Sequence, residues 1–137
     1  MTIFQRGLKK DEKPADLDTF EVKKVIGKGS FGKVFLVQKK DTKAVYAMKS
    51  LRKDVILDYD QIESTMLEKD ILQKADHPFL VGMEFVFQTD LKIFFVMKFV
   101  RGGELFMHLR KARQFPEKRA KFYSLSVALA LGHLHKQ

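Results

Sequence analysis

Three separated stretches of this 137-residue sequence carry groups suited to holding phosphate. The first, residues 27–34, reads Gly-Lys-Gly-Ser-Phe-Gly-Lys-Val, a G-x-G-x-x-G-x-V pattern. Glycines let phosphate oxygens approach backbone N–H groups, because no Cβ stands in the way. Taken alone, the three glycines are explained equally well as ordinary turn residues and as a phosphate-binding loop.

The flanks of this loop narrow the choice of phosphate-binding arrangement. A dinucleotide-binding fingerprint requires the glycines to open a helix. Here β-branched and aromatic residues dominate both residues 20–26 and residues 34–38, so strands are predicted on both sides. The sequence therefore predicts a strand, a glycine loop and a second strand.

A lysine and a glutamate further along could complete the site. Strand periodicity places Ala47 and Lys49 on one face, where the alanine leaves room for a flat base and the lysine offers a cation. Glu68 lies in the middle of the next predicted helix, near its buried edge, and a carboxylate there needs a partner such as Lys49. Considered alone, Lys49 and Glu68 would each be interpreted as ordinary solvent-exposed residues.

The predicted elements follow the order βββ-α-ββ and then helices only, an α+β layout rather than an alternating βαβ one. Strands are predicted over residues 20–26, 34–38, 45–51, 79–87 and 91–100, with helices over 60–75, 104–111 and from Pro116 onward. Asp58 or Asp60 is expected to cap the first helix. Its apolar residues recur at helical spacing and are expected to face the core: Ile62, Met66, Leu67, Ile71, Leu72 and Ala75.

Composition excludes several classes of protein. The absence of cysteine excludes a disulfide framework, thiolate zinc sites and cysteine nucleophiles. No apolar run is long enough to span a bilayer, and the N-terminus becomes charged too early for a signal peptide. We therefore expect an intracellular protein without a transmembrane segment, located in the cytoplasm with the nucleus as the alternative.

The net charge of +9 would suit an anionic partner, so its distribution matters. No run of five like charges occurs, and most of the 13 Phe lie in apolar runs typical of a core. A nucleic-acid surface would interleave exposed aromatics with cations. Solvated faces are the preferred interpretation, and no nucleic-acid partner is predicted.

These patterns together resemble the small lobe of a eukaryotic protein kinase, specifically the AGC group of Ser/Thr kinases that includes protein kinases A and C and the serum/glucocorticoid-regulated kinases. The resemblance covers about residues 18–137 and implies a five-stranded antiparallel sheet plus one main helix. Residues 1–17 would be a tail, 18–97 the small lobe, 98–103 the hinge and 104–137 the first helices of a large lobe. The motifs are residues 27–34, Tyr46-Ala47-Met48-Lys49, Leu67-Glu68-Lys69, His77-Pro78-Phe79-Leu80-Val81 and Gly102-Gly103-Glu104-Leu105-Phe106.

The resemblance implies ATP as the bound nucleotide and a role for each matching residue. The phosphate lid would comprise Gly27, Lys28, Gly29, Ser30, Phe31 and Gly32. Val34 and Ala47 would pack on adenine, and Lys49, paired with Glu68, would hold the α- and β-phosphates. Met97 falls at the gatekeeper position, Lys98 and Val100 in the hinge, and Glu104 near the ribose. Lys98 stands where the family usually has an acid.

The main departure from the family concerns catalysis. The H-R-D and D-F-G motifs, which supply the base and the Mg²⁺ ligands in kinases, do not occur in these 137 residues. The chain is therefore expected to be the nucleotide-binding part of a Ser/Thr kinase, inactive by itself, with no catalytic or metal-binding residue. A non-catalytic scaffolding protein with a kinase-like lobe is the main alternative, and a basic nucleic-acid binder the remote one.

The resemblance also suggests partners. A complete kinase would act on a protein substrate. A hydrophobic-motif peptide is expected to dock near Leu57, Ile62 and Ile93, with Lys69 and Gln88 at the rim. The isolated chain is expected to self-associate, because the last predicted helix has a broad apolar face and exposed apolar patches drive association.

Overall fold

The computed structural model of the protein describes residues 15–136, which form two compact units. The first unit comprises residues 15–75 and 82–99, and the second comprises residues 76–81 and 100–136. Most of the predicted tail, residues 1–14, lies outside the described residues.

Five antiparallel strands form the sheet of the first unit, in the order β1-β2-β3-β5-β4. The predicted five-stranded antiparallel sheet is thus confirmed. The strands are β1 Phe20–Gly29, β2 Gly32–Lys39, β3 Val45–Arg52, β4 Met83–Gln88 and β5 Lys92–Lys98. The strand predicted over 79–87 was wrong at its start, since residues 79–82 are turn and coil. The N–H groups of Phe79 and Leu80 donate to His77 Nδ1 and to the His77 carbonyl oxygen, and not to a neighbouring strand.

Apolar side chains cover both faces of this sheet. Successive residues of a strand point to opposite faces, so Ile93 and Phe95 of β5 lie on one side and Phe94 and Val96 on the other. Ile93 and Phe95 belong to a buried cluster that includes Ile56 of a helix, and we call their side the helix face. Phe94 and Val96 belong to a second cluster, on the side that we call the outer face.

Two helices follow β3. The short α1, Lys53–Asp58, was not predicted, and α2 spans Ile62–Lys74. Because α1 ends at Asp58, the N-cap of α2 is Gln61, and the predicted cap at Asp58 or Asp60 was wrong. The backbone N–H of Gln61 donates to the carbonyl of Ile56 at 2.8 Å, which ties the start of α2 to α1.

The predicted buried face of α2 was also wrong in part. Met66, Leu67 and Ile71 are 39%, 62% and 40% exposed, whereas Thr65 is buried. Ile62 packs against the cluster on the helix face of the sheet. With Ile62 fixed there, positions three or four residues apart along the helix turn towards the sheet, and Leu67 turns away.

The second unit contains α3, Leu105–Ala112, and α4, Glu117–Leu134. Pro116 is the N-cap of α4 and not its first helical residue; its carbonyl accepts hydrogen bonds from the N–H groups of Arg119 and Ala120 at 2.9 and 3.0 Å. The rings of His77 and His133, 5.0 Å apart, join residues 76–81 to α4. Among residues 15–136, no helix is long and apolar enough to cross a membrane.

Candidate functional site

The strand register gathers four of the predicted site residues on the helix face of the sheet. Val34 of β2 stands directly opposite Lys49 of β3, and Ala47 stands opposite Met97 of β5. Residues directly opposite each other in a sheet share a face, and Ala47 and Lys49 share theirs by strand alternation. The small side chain of Ala47 thus lies between the cation and the larger Met97.

The cation of this site is held by a carboxylate from α2. Lys49 Nζ donates to Glu68 Oε1 at 2.6 Å, and the two side chains are 30% and 39% exposed. The predicted pair is therefore present and partly open to solvent. A lysine oriented in this way keeps two further N–H donors, because an ammonium group carries three.

The three motif glycines differ in what surrounds them. A Cβ on Gly27 would lie 3.5 Å from the Val34 side chain, and one on Gly29 would lie 4.0 Å from the Gly32 carbonyl oxygen, both ordinary contacts. A Cβ on Gly32 would lie 1.8 Å from the Ser50 carbonyl oxygen. Gly32 is thus required by the packing of β2 on β3, whereas a Cβ at Gly27 or Gly29 would make only ordinary contacts.

The tip of the β1–β2 hairpin is fixed through Phe31. Its ring packs against the cluster on the helix face and meets the Tyr59 ring edge-on at 6.1 Å. Its carbonyl accepts a hydrogen bond from the Arg52 N–H at 3.1 Å. The neighbouring Lys28 and Ser30 are exposed. Phe31 therefore fixes the tip of the hairpin to the cluster on the helix face, while the side chains of Lys28 and Ser30 remain exposed to solvent.

The remaining predicted residues lie around the end of β5 and beyond it. Lys98 is exposed and forms an ion pair with Glu84, 3.4 Å between Nζ and Oε1, which compensates locally for a base at a position where the resemblance expects an acid. Val100 is 67% exposed and belongs to the second unit. Glu104, also in the second unit, is the N-cap of α3 and makes no side-chain capping bond.

Sequence reasoning missed the neighbours that support Lys49. Phe95, which is fully buried, stands opposite Lys49 in the β3–β5 register, and Leu36 stands opposite Ala47. Because Phe95 and Leu36 are apolar, the sequence placed them in strands. No local pattern, however, predicts which residues of distant strands stand opposite each other. The same holds for the Phe31–Tyr59 contact, since α1 was not predicted.

Comparison with known proteins agrees with this geometry. The protein kinase domain matches residues 20–137. The chain belongs to the protein kinase family. It is 50% identical over 127 residues to a RAC family serine/threonine-protein kinase homolog of Dictyostelium discoideum, covering 93% of this chain and 28% of that protein.

Two further relatives fit the predicted AGC resemblance. The serine/threonine-protein kinase Sgk3 of Rattus norvegicus is 50% identical over 124 residues, 90% of this chain and 24% of that kinase. Protein kinase C eta type of Mus musculus is 51% identical over 122 residues, 88% of this chain and 18% of that kinase. The chain thus spans less than a third of the length of these relatives.

Proposed function

We propose that this chain is the ATP-binding part of a protein Ser/Thr kinase. The observation that carries the proposal is the ion pair between Lys49 and Glu68, 2.6 Å between Nζ and Oε1, on the face of the sheet that also presents Ala47. The absence of side chains at Gly27 and Gly29 supports it, because phosphate oxygens can then approach the backbone N–H groups. In the complete protein, ATP would supply the γ-phosphoryl group for a Ser or Thr hydroxyl.

Each residue of the chain would then contribute binding and orientation. Lys49 would hold phosphate oxygens by charge-assisted hydrogen bonds, and Glu68 would keep its ammonium group in place. Val34, Ala47 and Met97 would offer an apolar surface to the base. Because the base for the hydroxyl and the Mg²⁺ ligands of the family have no counterpart in this sequence, we expect the 137 residues to bind nucleotide weakly and to transfer no phosphate.

Calorimetric titration with ATP and ADP tests the binding step. We expect high-micromolar to millimolar affinity for the chain, and its loss in Ala47→Trp, whose indole fills the space above the sheet between Lys49 and Met97. Ala112→Trp, at an exposed position near the end of α3, is the matched control and should leave binding unchanged. Equal affinity in the two variants would contradict the site.

Phosphate transfer separates the kinase from the scaffolding alternative. In a chain extended through catalytic and D-F-G segments, Lys49→Met should abolish radiolabel transfer while the protein stays folded. The 137-residue chain should show no transfer with or without the change. Retention of most of the rate by the extended Lys49→Met protein would contradict the proposed role of Lys49, and no transfer by the extended parent would favour a scaffold.

We also propose that a hydrophobic peptide docks beside α1 and α2 and regulates nucleotide binding. Leu57 is 60% exposed, and Ile62 is half-buried over the buried Ile93. Gln88 Oε1 is buried and accepts no hydrogen bond within residues 15–136, so a peptide N–H could pair with it. If such a peptide holds α2, it raises nucleotide affinity through Glu68. Unchanged ATP affinity at saturating peptide would refute this coupling.

A further inference from the structure

The outer face of the sheet carries a groove that the proposed nucleotide site does not use. The groove has a volume of about 330 Å³, is open to solvent, and is lined mainly by apolar side chains of the first unit. Met48 and Ser50 line it, and both alternate with Lys49 along β3, so the groove and the Lys49 amine lie on opposite faces. Its other lining residues are Leu17, Val22, Phe35, Thr89, Leu91, Lys92 and Phe94.

The floor and the walls of the groove differ in exposure. Met48 and Phe94 are only 2% and 4% exposed and form a fixed apolar floor. Leu17, Val22 and Leu91 are 40%, 51% and 75% exposed around it. An apolar concavity of this size, walled by exposed aliphatic side chains, gains free energy when an apolar group covers it.

Ser50 gives the groove a polar group without a partner. The residue is 94% buried, since its exposed fraction is 6%, and it lines the groove. Its hydroxyl makes no hydrogen bond within residues 15–136, and its oxygen is not fully enclosed by protein, so it opens onto the groove. A ligand oxygen that accepts a hydrogen bond from Ser50 Oγ would satisfy this donor.

Lys92 supplies a positive charge at the same groove. Its backbone N–H donates to Thr89 Oγ1 at 3.1 Å, which fixes the turn before β5, while its side chain is exposed and forms no ion pair with a carboxylate of residues 15–136. Lys33 stands opposite Ser50 in the β2–β3 register and shares its face, but it does not line the groove. Asp90, in the same turn, does not line the groove.

We propose that this groove binds small aliphatic carboxylates. The alkyl chain would pack on Phe35, Met48 and Phe94, and the carboxylate would accept a hydrogen bond from Ser50 Oγ and pair with the Lys92 ammonium group. A hydroxyl that opens onto the groove and a lysine outside any ion pair of residues 15–136 together favour an anion that carries an apolar chain. This site is separate from the nucleotide site, and it stands whether or not the chain binds ATP.

Octanoate is the probe, with octanol and octylammonium as analogues that keep the chain and change the head group. Ligand-observed saturation-transfer NMR needs little protein, and the ¹³C-methyl signal of Met48 reports the groove directly. We expect octanoate to bind more tightly than either analogue and to shift the Met48 methyl signal but not that of Met66 on α2. ATP should not displace it.

Variants separate the charge and the hydroxyl from simple apolar binding. Ser50→Ala and Lys92→Gln should each weaken octanoate binding by about tenfold, the worth of one hydrogen bond to a charged group. Lys74→Gln, at the exposed end of α2, is the matched control and should have no effect. Lys92→Glu should reverse the preference in favour of octylammonium.

Four results would overturn the proposal. The first is no octanoate binding at millimolar concentration, and the second is equal binding of octanol and octanoate. The third is full affinity in Lys92→Gln. The fourth is displacement of octanoate by ATP, which would mean that the ligand occupies the nucleotide site instead.

Discussion

Replacing Gly32 by alanine should destabilise the protein, although the nucleotide motif suggests a purely ligand-binding role for this glycine. The new Cβ would lie 1.8 Å from the carbonyl oxygen of Ser50 and 2.9 Å from its carbonyl carbon. These are backbone atoms, so no side-chain rotation can relieve the overlap. To restore an ordinary contact, β2 must separate from β3 where Gly32 pairs with Leu51.

The cost follows from the two consequences of that separation. Overpacking that displaces backbone costs about 1–3 kcal/mol, and the loss of a ladder hydrogen bond adds about 1 kcal/mol. The expected loss is therefore about 2–4 kcal/mol of unfolding free energy, a large share of the roughly 5–15 kcal/mol typical of a folded domain. For a chain of this length, that corresponds to a fall of roughly 10 °C in melting temperature.

Gly29→Ala is the matched control, since its Cβ would meet nothing nearer than 4.0 Å. Its stability should change by less than about 1 kcal/mol and can rise, because alanine restricts the unfolded chain. Urea unfolding followed by circular dichroism measures both variants. In a titration with ATP, Gly29→Ala should bind the nucleotide more weakly than the parent, although its stability in urea is unchanged. Equal urea midpoints for Gly32→Ala and Gly29→Ala would refute the steric reasoning.

Three further predictions concern charge, acid and association. Lys49→Met should lower the unfolding free energy by only about 1 kcal/mol, because water reaches the carboxylate of Glu68, which is partly exposed. A loss as large as that of Gly32→Ala in the same urea experiment would contradict this expectation. Hydrogen bonds from the Thr19 side chain and backbone lower the pKa of Asp16 from its ordinary value of 3.8. The stabilisation that they give is therefore present above pH 3.8 and is lost as the pH falls through the lowered pKa of the folded state. Thr19→Val should flatten the acid limb of a curve of unfolding free energy against pH, and an unchanged limb would refute the assignment. The chain should self-associate through α4, where Leu125 is 59% exposed, and light scattering should find a smaller species for Leu125→Lys than for the parent; a monodisperse parent monomer would contradict this.

The elements that depend on local chemistry were predictable from the sequence. The glycine pattern, flanked by stretches rich in β-branched and aromatic residues, predicted the β1–β2 hairpin, because short turns and strand periodicity are encoded within a few residues. The resemblance placed Lys49 and Glu68 together, and the ion pair has this arrangement.

Features that depend on distant contacts were not predictable in this way. The apolar pattern of α2 suggested that Leu67 and Ile71 are buried, but the packing of Ile62 under α1 turns the helix so that Thr65 is buried instead. A helix with apolar residues on more than one side has no single face that its sequence alone can select. The packing of the first turn of α2 determines which face of the helix is buried.

The sequence by itself determined the family, the order of the strands and of every helix except α1, and the residue types that could hold a nucleotide. Only the tertiary structure decided which glycine is required for packing, since the Ser50 carbonyl approaches Gly32 across the sheet and does not approach Gly29. It also decided that the Ser50 hydroxyl opens onto an apolar groove, and that Lys92 borders the same groove. The physical reason is that strand register and sheet packing join residues far apart in the chain, whereas sequence patterns report only neighbours within a few residues.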